Sequence, residues 1–348
     1  MTKKSSKRQV TRRQHWLPRA SYLSNFINKD GKVTAYMFGE GDRADFLKTS
    51  EVKHIKPENV GLMKNLYETS ALPPNTIENV LSGIEAAYGR VLEDKIKQHK
   101  MLTEREHEIV ARSVSTLENR TPMQQKHVNN FLDRLNQTGQ SLSMAHGAPE
   151  AAKEWATKIE KTKESMFAQW MAITIEVNKW SPLDFCFLSP ASYVSEKFIG
   201  SDHPVTLVDM TGDNSFVGLN QWHETAECVA VLTPDIAIFG NTRGITGYKE
   251  VDYNFLREIN NRILRRADKM LITAEPIGDN EAEAIVRRMP QSLLLNYLKL
   301  PDKGRSGRII RSQKRKERVV ALRHKIVSTR QGLFRRLRPR RKSRDQLV

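Results

Sequence analysis

The spacing of apolar residues changes character at Ser181-Pro182, and that change most limits what this chain can fold into. Upstream, Trp155, Ile159, Met166, Trp170, Ile173, Val177 and Trp180 mostly recur at steps of three, four or seven, marking one buried stripe on a long helix. Downstream, apolar residues come in short runs: 184–188, 205–209, 228–232 and 236–239. The last two flank Thr233-Pro234-Asp235, which is turn chemistry. Helices followed by strands, without regular alternation, predict an α+β fold and not a βαβ one.

The rest of the chain fits that frame. Residues 23–38 read as an N-terminal β-hairpin around the turn cluster Asn28-Lys29-Asp30-Gly31-Lys32, closed by 39–42. After Pro73-Pro74-Asn75, the series Ile77, Val80, Leu81, Ile84, Tyr88, Val91, Leu92 and Ile96 has helical spacing. A second helix is predicted over 103–118, opened by a capping box of Thr103 and Glu106. Pro122 suits the first position of the next helix. Residues 138–149, rich in Gly, Ser and Pro, read as a loop. Helix over 251–267, strand over 270–274 and helix over 281–298, interrupted by Pro290, complete the body. The expected organisation is a disordered basic arm, 1–13; a single α+β domain, 14–300; and a basic tail, 301–348. Within the domain the helical part covers about 58–180 and a mixed or antiparallel sheet about 181–275.

Charge is segregated along the same boundaries. Residues 303–348 hold 18 Lys and Arg against Glu317 and Asp345, so this segment carries +16 of the chain's net +17. The remaining 302 residues have 39 basic and 38 acidic side chains. Lys3, Lys4, Lys7, Arg8, Arg12 and Arg13 concentrate further charge before the first acid, Asp30. A cationic segment on a near-neutral body points to a polyanionic partner. In the tail, Val319, Leu322, Ile326, Leu333 and Leu337 recur at helical intervals, so the segment is expected to order as a helix on a polyanion. The predicted nucleic-acid contacts are Arg311, Lys314, Arg315, Lys316, Arg318, Arg323, Lys325, Arg330, Arg335, Arg336, Arg338, Arg340 and Arg341. Thirteen Arg against five Lys favour phosphate and base-edge contacts. Phe334 alone interrupts the charge with a ring, which disfavours stacking on single strands.

No run approaches the ~20 apolar residues of a membrane span, and no apolar segment follows the N-terminal charges as in a secretory signal. Cys186 and Cys228 sit among apolar neighbours and read as reduced core thiols, which implies a cytoplasmic setting.

Gln14-His15-Trp16-Leu17-Pro18, followed by Tyr22-Leu23-Ser24-Asn25-Phe26, resembles the N-terminal signature of a largely bacterial family catalogued as domain of unknown function 4238. Arg120-Thr121-Pro122, Ser201-Asp202-His203-Pro204-Val205, Leu232-Thr233-Pro234 and Glu258-Ile259-Asn260-Asn261 echo its later segments in the same order. The resemblance covers about 12–275. This chain has one more residue than the usual pattern between Pro18 and Leu23. The resemblance implies an α+β fold in a bacterial protein and no established activity.

His15, Asp202 and Glu85 form the candidate catalytic set, with His15 and Asp202 as metal ligands. An imidazole and two carboxylates suit a divalent cation such as Mg²⁺ or Mn²⁺ and metal-assisted phosphodiester cleavage. A His or Asp shortly before Pro serves equally well to cap a turn. Arg120 and His127 match a loose Arg-x6-His spacing found in some small helical ribonucleases. His223-Glu224-Thr225-Ala226-Glu227 lacks the second His of a zincin helix. Residues 240–247 lack a P-loop's Gly-Lys-Ser/Thr ending and read as a connector between strand and helix. Two function classes follow. One is a nucleic-acid-associated protein, with metal-dependent nuclease activity in the body. The other is a non-catalytic interaction or scaffold protein whose tail binds RNA, an acidic partner or an anionic membrane surface.

Overall fold

The computed structural model describes residues 11–37, 39, 50–70, 72–209, 226–278, 281 and 285. The chain divides into two compact units, Met1–Asp302 and Lys303–Val348, and every described residue belongs to the first. The tail, its thirteen predicted contacts, residues 1–10, most of the 281–298 helix and His223-Glu224 lie outside the described residues.

The fold is α+β. In chain order its elements are β1 Arg13–His15, a 3-10 turn Leu23–Phe26, β2 Val33–Met37, β3 Glu51–Ile55, a 3-10 turn Pro57–Asn59 and β4 Leu62–Lys64. There follow α1 Thr76–Val91, extended by a π turn Leu92–Ile96, then α2 Glu104–Asn119, α3 Pro122–Ala145 and α4 Pro149–Val177. The second half holds β5 Asp184–Pro190, β6 Gly200–Ser201, β7 Val205–Asp209, β8 Ala226–Thr233, β9 Ile236–Asn241, β10 Gly247–Val251, α5 Tyr253–Arg266 and β11 Met270–Thr273.

Among the described residues the strands form a β1-β4 ribbon, a five-stranded sheet β10-β5-β9-β8-β7 and a four-stranded sheet β3-β2-β11-β6. Among the described strands, only β10 runs parallel to its neighbour, β5. The central strands are buried on both faces, with Cys228 to Leu232 and Ala237 to Phe239 all nearly inaccessible. Both cysteines are free and buried there. The apolar face of α5 packs Phe255, Leu256, Ile259, Ile263 and Leu264 into the core. Its Asn260 fixes the approach to β6, accepting from the Ile199 amide (3.0 Å) and donating to the Lys197 carbonyl (2.9 Å).

Helix starts follow the local chemistry read from the sequence. Thr103 and Glu106 form the reciprocal capping box of α2. Pro122 occupies the first turn of α3, and Thr121 Oγ1 accepts from the Gln124 amide.

Four expectations are corrected. The 23–38 hairpin reduces to one bridge, Ile27 with Val33, because Leu23–Phe26 winds into a turn that buries Leu23 and Phe26. The partners of β2 are instead β3 and β11. The 138–149 loop is mostly helix, since α3 runs on to Ala145. Gly139 there lies against the Trp155 indole, where a Cβ would come within 2.2 Å of Nε1, so the absent side chain lets α3 and α4 close on each other. Residues 240–247 lead into β10 and not directly into a helix. Residues 11–13 of the expected disordered arm are ordered: the Thr11 amide donates to Asn75 Oδ1 (2.8 Å), and Arg13 opens β1.

Candidate functional site around Arg120

The ribbon is set by Gln14, which is buried and spends its whole amide on the turn after β4. Its Oε1 accepts from the Tyr67 amide (2.7 Å), and its Nε2 donates to Glu68 Oε1 (2.9 Å). The Trp16 amide donates to the Gly61 carbonyl (2.8 Å). Gly61 has φ +65°, and a Cβ on it would lie 2.9 Å from that of Leu17, so the crossing of the two segments requires glycine. His15 is thereby fixed beside the C-terminal end of α2.

Arg120 caps that end, and its guanidinium is 2% exposed. It donates from Nη1 to Glu85 Oε1 (2.5 Å), from Nη2 to the His15 carbonyl (2.5 Å) and from Nε to the Tyr67 hydroxyl (3.2 Å). The Tyr67 oxygen also lies 3.2 Å from the His15 carbonyl and 3.3 Å from that of Arg120, either of which can receive its proton. Burial opposes the guanidinium's charge, but Tyr67 and Glu85 outweigh it and hold Arg120 firmly protonated. Burial likewise pushes the Tyr67 phenol up to about 12.

Two polar atoms in this cluster have no hydrogen-bond partner although they are buried: His15 Nε2 and Glu78 Oε2. Desolvation lowers the pKa of His15, helped by Arg19 and Arg120 and opposed by the Glu58 backbone and by Glu85. Desolvation raises that of Glu78, which Arg120 counteracts and Glu85 and Glu68 reinforce. Neutral imidazole and an under-compensated carboxyl therefore stand around one fixed guanidinium. Glu78 and Glu85 are seven residues apart on α1, two turns along one face. That spacing is visible in the sequence, but it gains meaning only once Arg120 is placed opposite.

Of the expected catalytic set, the structure joins His15 and Glu85 through Arg120 and leaves Asp202 elsewhere. Asp202 follows β6 and accepts from the Asp268 amide at Oδ1 (2.8 Å) and from the Lys269 amide at Oδ2 (2.6 Å), fastening the link between α5 and β11. Its carboxylate is a backbone clamp, and it is absent from the groups that act most strongly on His15. Among the described residues, no group of three or more His, Cys, Asp or Glu is arranged to hold a metal ion, so the expected donor set does not assemble there. Arg120 and His127 do not form a pair either. His127 lies in the surroundings of Arg266, Lys126 and Asp268, while Arg120 is committed to Glu85, Tyr67 and the His15 carbonyl. The 240–247 segment satisfies itself: Asn241 Oδ1 accepts from the Arg243 and Ile245 amides, and its Nδ2 donates to the Ile245 and Asp184 carbonyls.

Next to Asp202, His203 Nδ1 donates to the Val205 carbonyl (3.2 Å). Burial, then Arg266, pushes its pKa down to about 3 against the opposing charge of Glu118, while burial pushes Asp202 up to about 6 against the Asp268 and Lys269 amides. The signs are opposite. The unfolded chain binds the His203 proton first, so that stabilisation is present above pH 6.5 and drains as pH falls toward 3. The native state binds the Asp202 proton first, so stability is gained as pH falls from about 6 to 3.8. Between pH 6 and 4 the two offset one another. His203→Gln removes one of them. Relative to wild type, this variant should gain about 1.4 kcal/mol per pH unit on acidification through that window, measured by urea unfolding at successive pH values. An unchanging difference between the two proteins would show that His203 titrates normally.

A family model described as protein of unknown function (DUF4238) matches residues 13–276. No curated protein and no solved structure matches the chain.

Proposed function

We propose that this chain, which belongs to the DUF4238 family of proteins of unknown function, is a nucleic-acid-associated protein whose residues 303–348 grip DNA or RNA phosphates without sequence preference. The observation that carries this reading is the 18 Lys and Arg against two acids in that segment. The body supports it indirectly, because its deepest cations are used internally: Arg120 on Glu85, Lys179 on Glu118, and Arg262 on Glu227 and Glu258. Affinity for a polyanion then resides at the chain's ends. The proposal contains no hydrolytic step, since Asp202 is held by backbone amides and the donor set for a cation is incomplete among the described residues.

Each neutralised phosphate releases condensed counterions, which makes the affinity steeply salt-dependent. With half of the tail's cations engaged on duplex, log K should fall with log salt at a slope of about −8. The experiment compares the full chain with a 1–302 truncation on duplex DNA, single-stranded RNA and anionic vesicles, from about 50 to 200 mM salt. Loss of nucleic-acid binding and of the slope on truncation is expected. Equal affinity of both proteins would remove the proposal. Vesicle binding without nucleic-acid binding would transfer the tail to a membrane surface.

A further inference from the structure

We propose that α3 is a dimerisation helix: two copies of the chain pair along its outer face, antiparallel, about a two-fold axis. This helix is 24 residues long but buries only Val128 and Leu132. Its inner face is fixed by Leu132 and by Gly139, which lies against the Trp155 indole of α4. Phe131 and Thr138 each precede one of these by a single residue, a rotation of about 100° away from α4. On that outer side Phe131 is 59% exposed and Leu142 58%. Val128, Phe131, Leu135, Thr138, Leu142 and Ala145 step by three and four residues, the repeat of a helix–helix seam, with Thr138 as its polar member.

Charge is sparse on this helix. Between His127 and His146 the sequence holds only Asp133 and Arg134 among Asp, Glu, Lys and Arg, and Lys163 of α4 takes up Asp133 (2.6 Å). A helix with so little burial ordinarily carries ion pairs one turn apart. Among the described residues, α4 has them, Lys153 with Glu150 and Lys163 with Glu160, but no Lys or Arg of α3 pairs within its own helix. Exposed large apolar side chains with little charge between them make the composition of an interface centre. The same sparseness selects the occupant. An acidic or basic partner would find only Arg134 on this stretch, whereas a second copy brings another uncharged face. The spacing is also its own complement: read in either direction, positions 131, 135, 138 and 142 advance by four, three and four. Antiparallel pairing sets Phe131 against Leu142 of the second copy and Leu135 against Thr138 of the second copy, each contact occurring twice, as in a two-fold dimer. It also keeps the rest of each chain at opposite ends of the helix pair, because α3 starts at buried Thr121 and ends at an exposed tip, 144–147.

The test is sedimentation equilibrium of the full chain without nucleic acid. Twice the chain's 39.9 kDa is expected at concentrations above about 10 μM, in low and high salt alike because the seam holds no ion pair. Phe131→Glu combined with Leu142→Glu should weaken dimerisation about hundredfold or more, the scale of two apolar side chains returned to water. Both residues are exposed in the single chain, so its far-ultraviolet circular dichroism should not change. Register is read separately. A mixture of Phe131→Cys and Leu142→Cys chains should cross-link on oxidation and neither variant alone should, the native cysteines being buried. A monomer at every concentration, a dimer indifferent to the double Glu variant, or cross-linking that each Cys variant achieves alone would each overturn the assignment. If the double Glu variant does not fold, the wild-type mass and the cross-links decide. Polyanion binding weakens with salt and this contact does not, so the two readings stand or fall separately.

Discussion

Replacing Arg120 by Met should lower the unfolding midpoint of the full chain by about 10 °C, from a loss of about 3–5 kcal/mol. The side chain is of similar length, so the cost comes from the partners it abandons. Tyr67 is buried and loses the donor at its oxygen, the His15 carbonyl loses Nη2, and Glu85 loses its ion pair. Glu85 can rotate toward water because it is partly exposed, which keeps its share small. Glu85→Gln alone should therefore cost about 1 kcal/mol. Arg120→Lys should rescue little. An ammonium supplies charge, but it cannot hold a carboxylate, a carbonyl and a phenol in the plane of one fork. Circular dichroism melts of the three variants check the order: Met worst, Lys close behind, Gln at 85 mild. A Lys variant that matches wild type would mean charge alone holds the cluster.

Arg262→Met should be of similar size for a different reason. Arg262 donates from Nη1 to Glu227 Oε2 (2.6 Å) and from Nε to Glu258 Oε1 (2.9 Å), and those carboxylates are 0% and 8% exposed. Neither can turn to solvent, so removing the guanidinium leaves two negative charges facing each other in the interior, at about 3–5 kcal/mol. The sharper expectation concerns the triple variant Glu227→Leu, Glu258→Leu, Arg262→Met. With all three charges gone, no desolvated ion remains, and the fold should recover most of what the single variant loses. Urea unfolding of the single and triple variants measures both. A triple variant as unstable as R262M would show that the network is needed for its directional bonds and not merely tolerated as a neutral unit.

The sequence was most informative where a residue type acts on its own neighbours. Thr103 with Glu106 and Thr121 with Pro122 start helices through contacts three residues long, and such contacts can be read without knowing the fold. The strands of the second half were legible as apolar runs because both faces of β8 and β9 are buried. Glu51–Ile55 was not, because this edge strand is exposed along nearly its whole length and shows no alternation. The 138–149 segment misled because Gly139 and its serines suit a loop locally, whereas the Trp155 ring across the helix pair rewards the missing side chain. The site was half legible. His15 and Glu85 were chosen as chemically apt residues, yet what unites them is a guanidinium 105 residues from the carbonyl it holds. Asp202 misled for a related reason. Its partners are the backbone amides of Asp268 and Lys269, and no side chain in the sequence marks an amide as a partner.

The pairing of β2 with β11, which sets Thr34 opposite Thr273, imposes a schedule on biosynthesis. Every group that Arg120 holds is already present when the ribosome has finished the first helices, so that knot can tie early. One edge of β2 can zip to β3 at the same stage, while its other edge waits for a strand not yet translated. Val33, Thr34, Ala35 and Tyr36 are destined for full burial, so the waiting edge is apolar and hydrogen-bond hungry. A nascent chain stalled before Met270 presents that edge to its neighbours, and this is where cellular chaperones and proteases would first engage it.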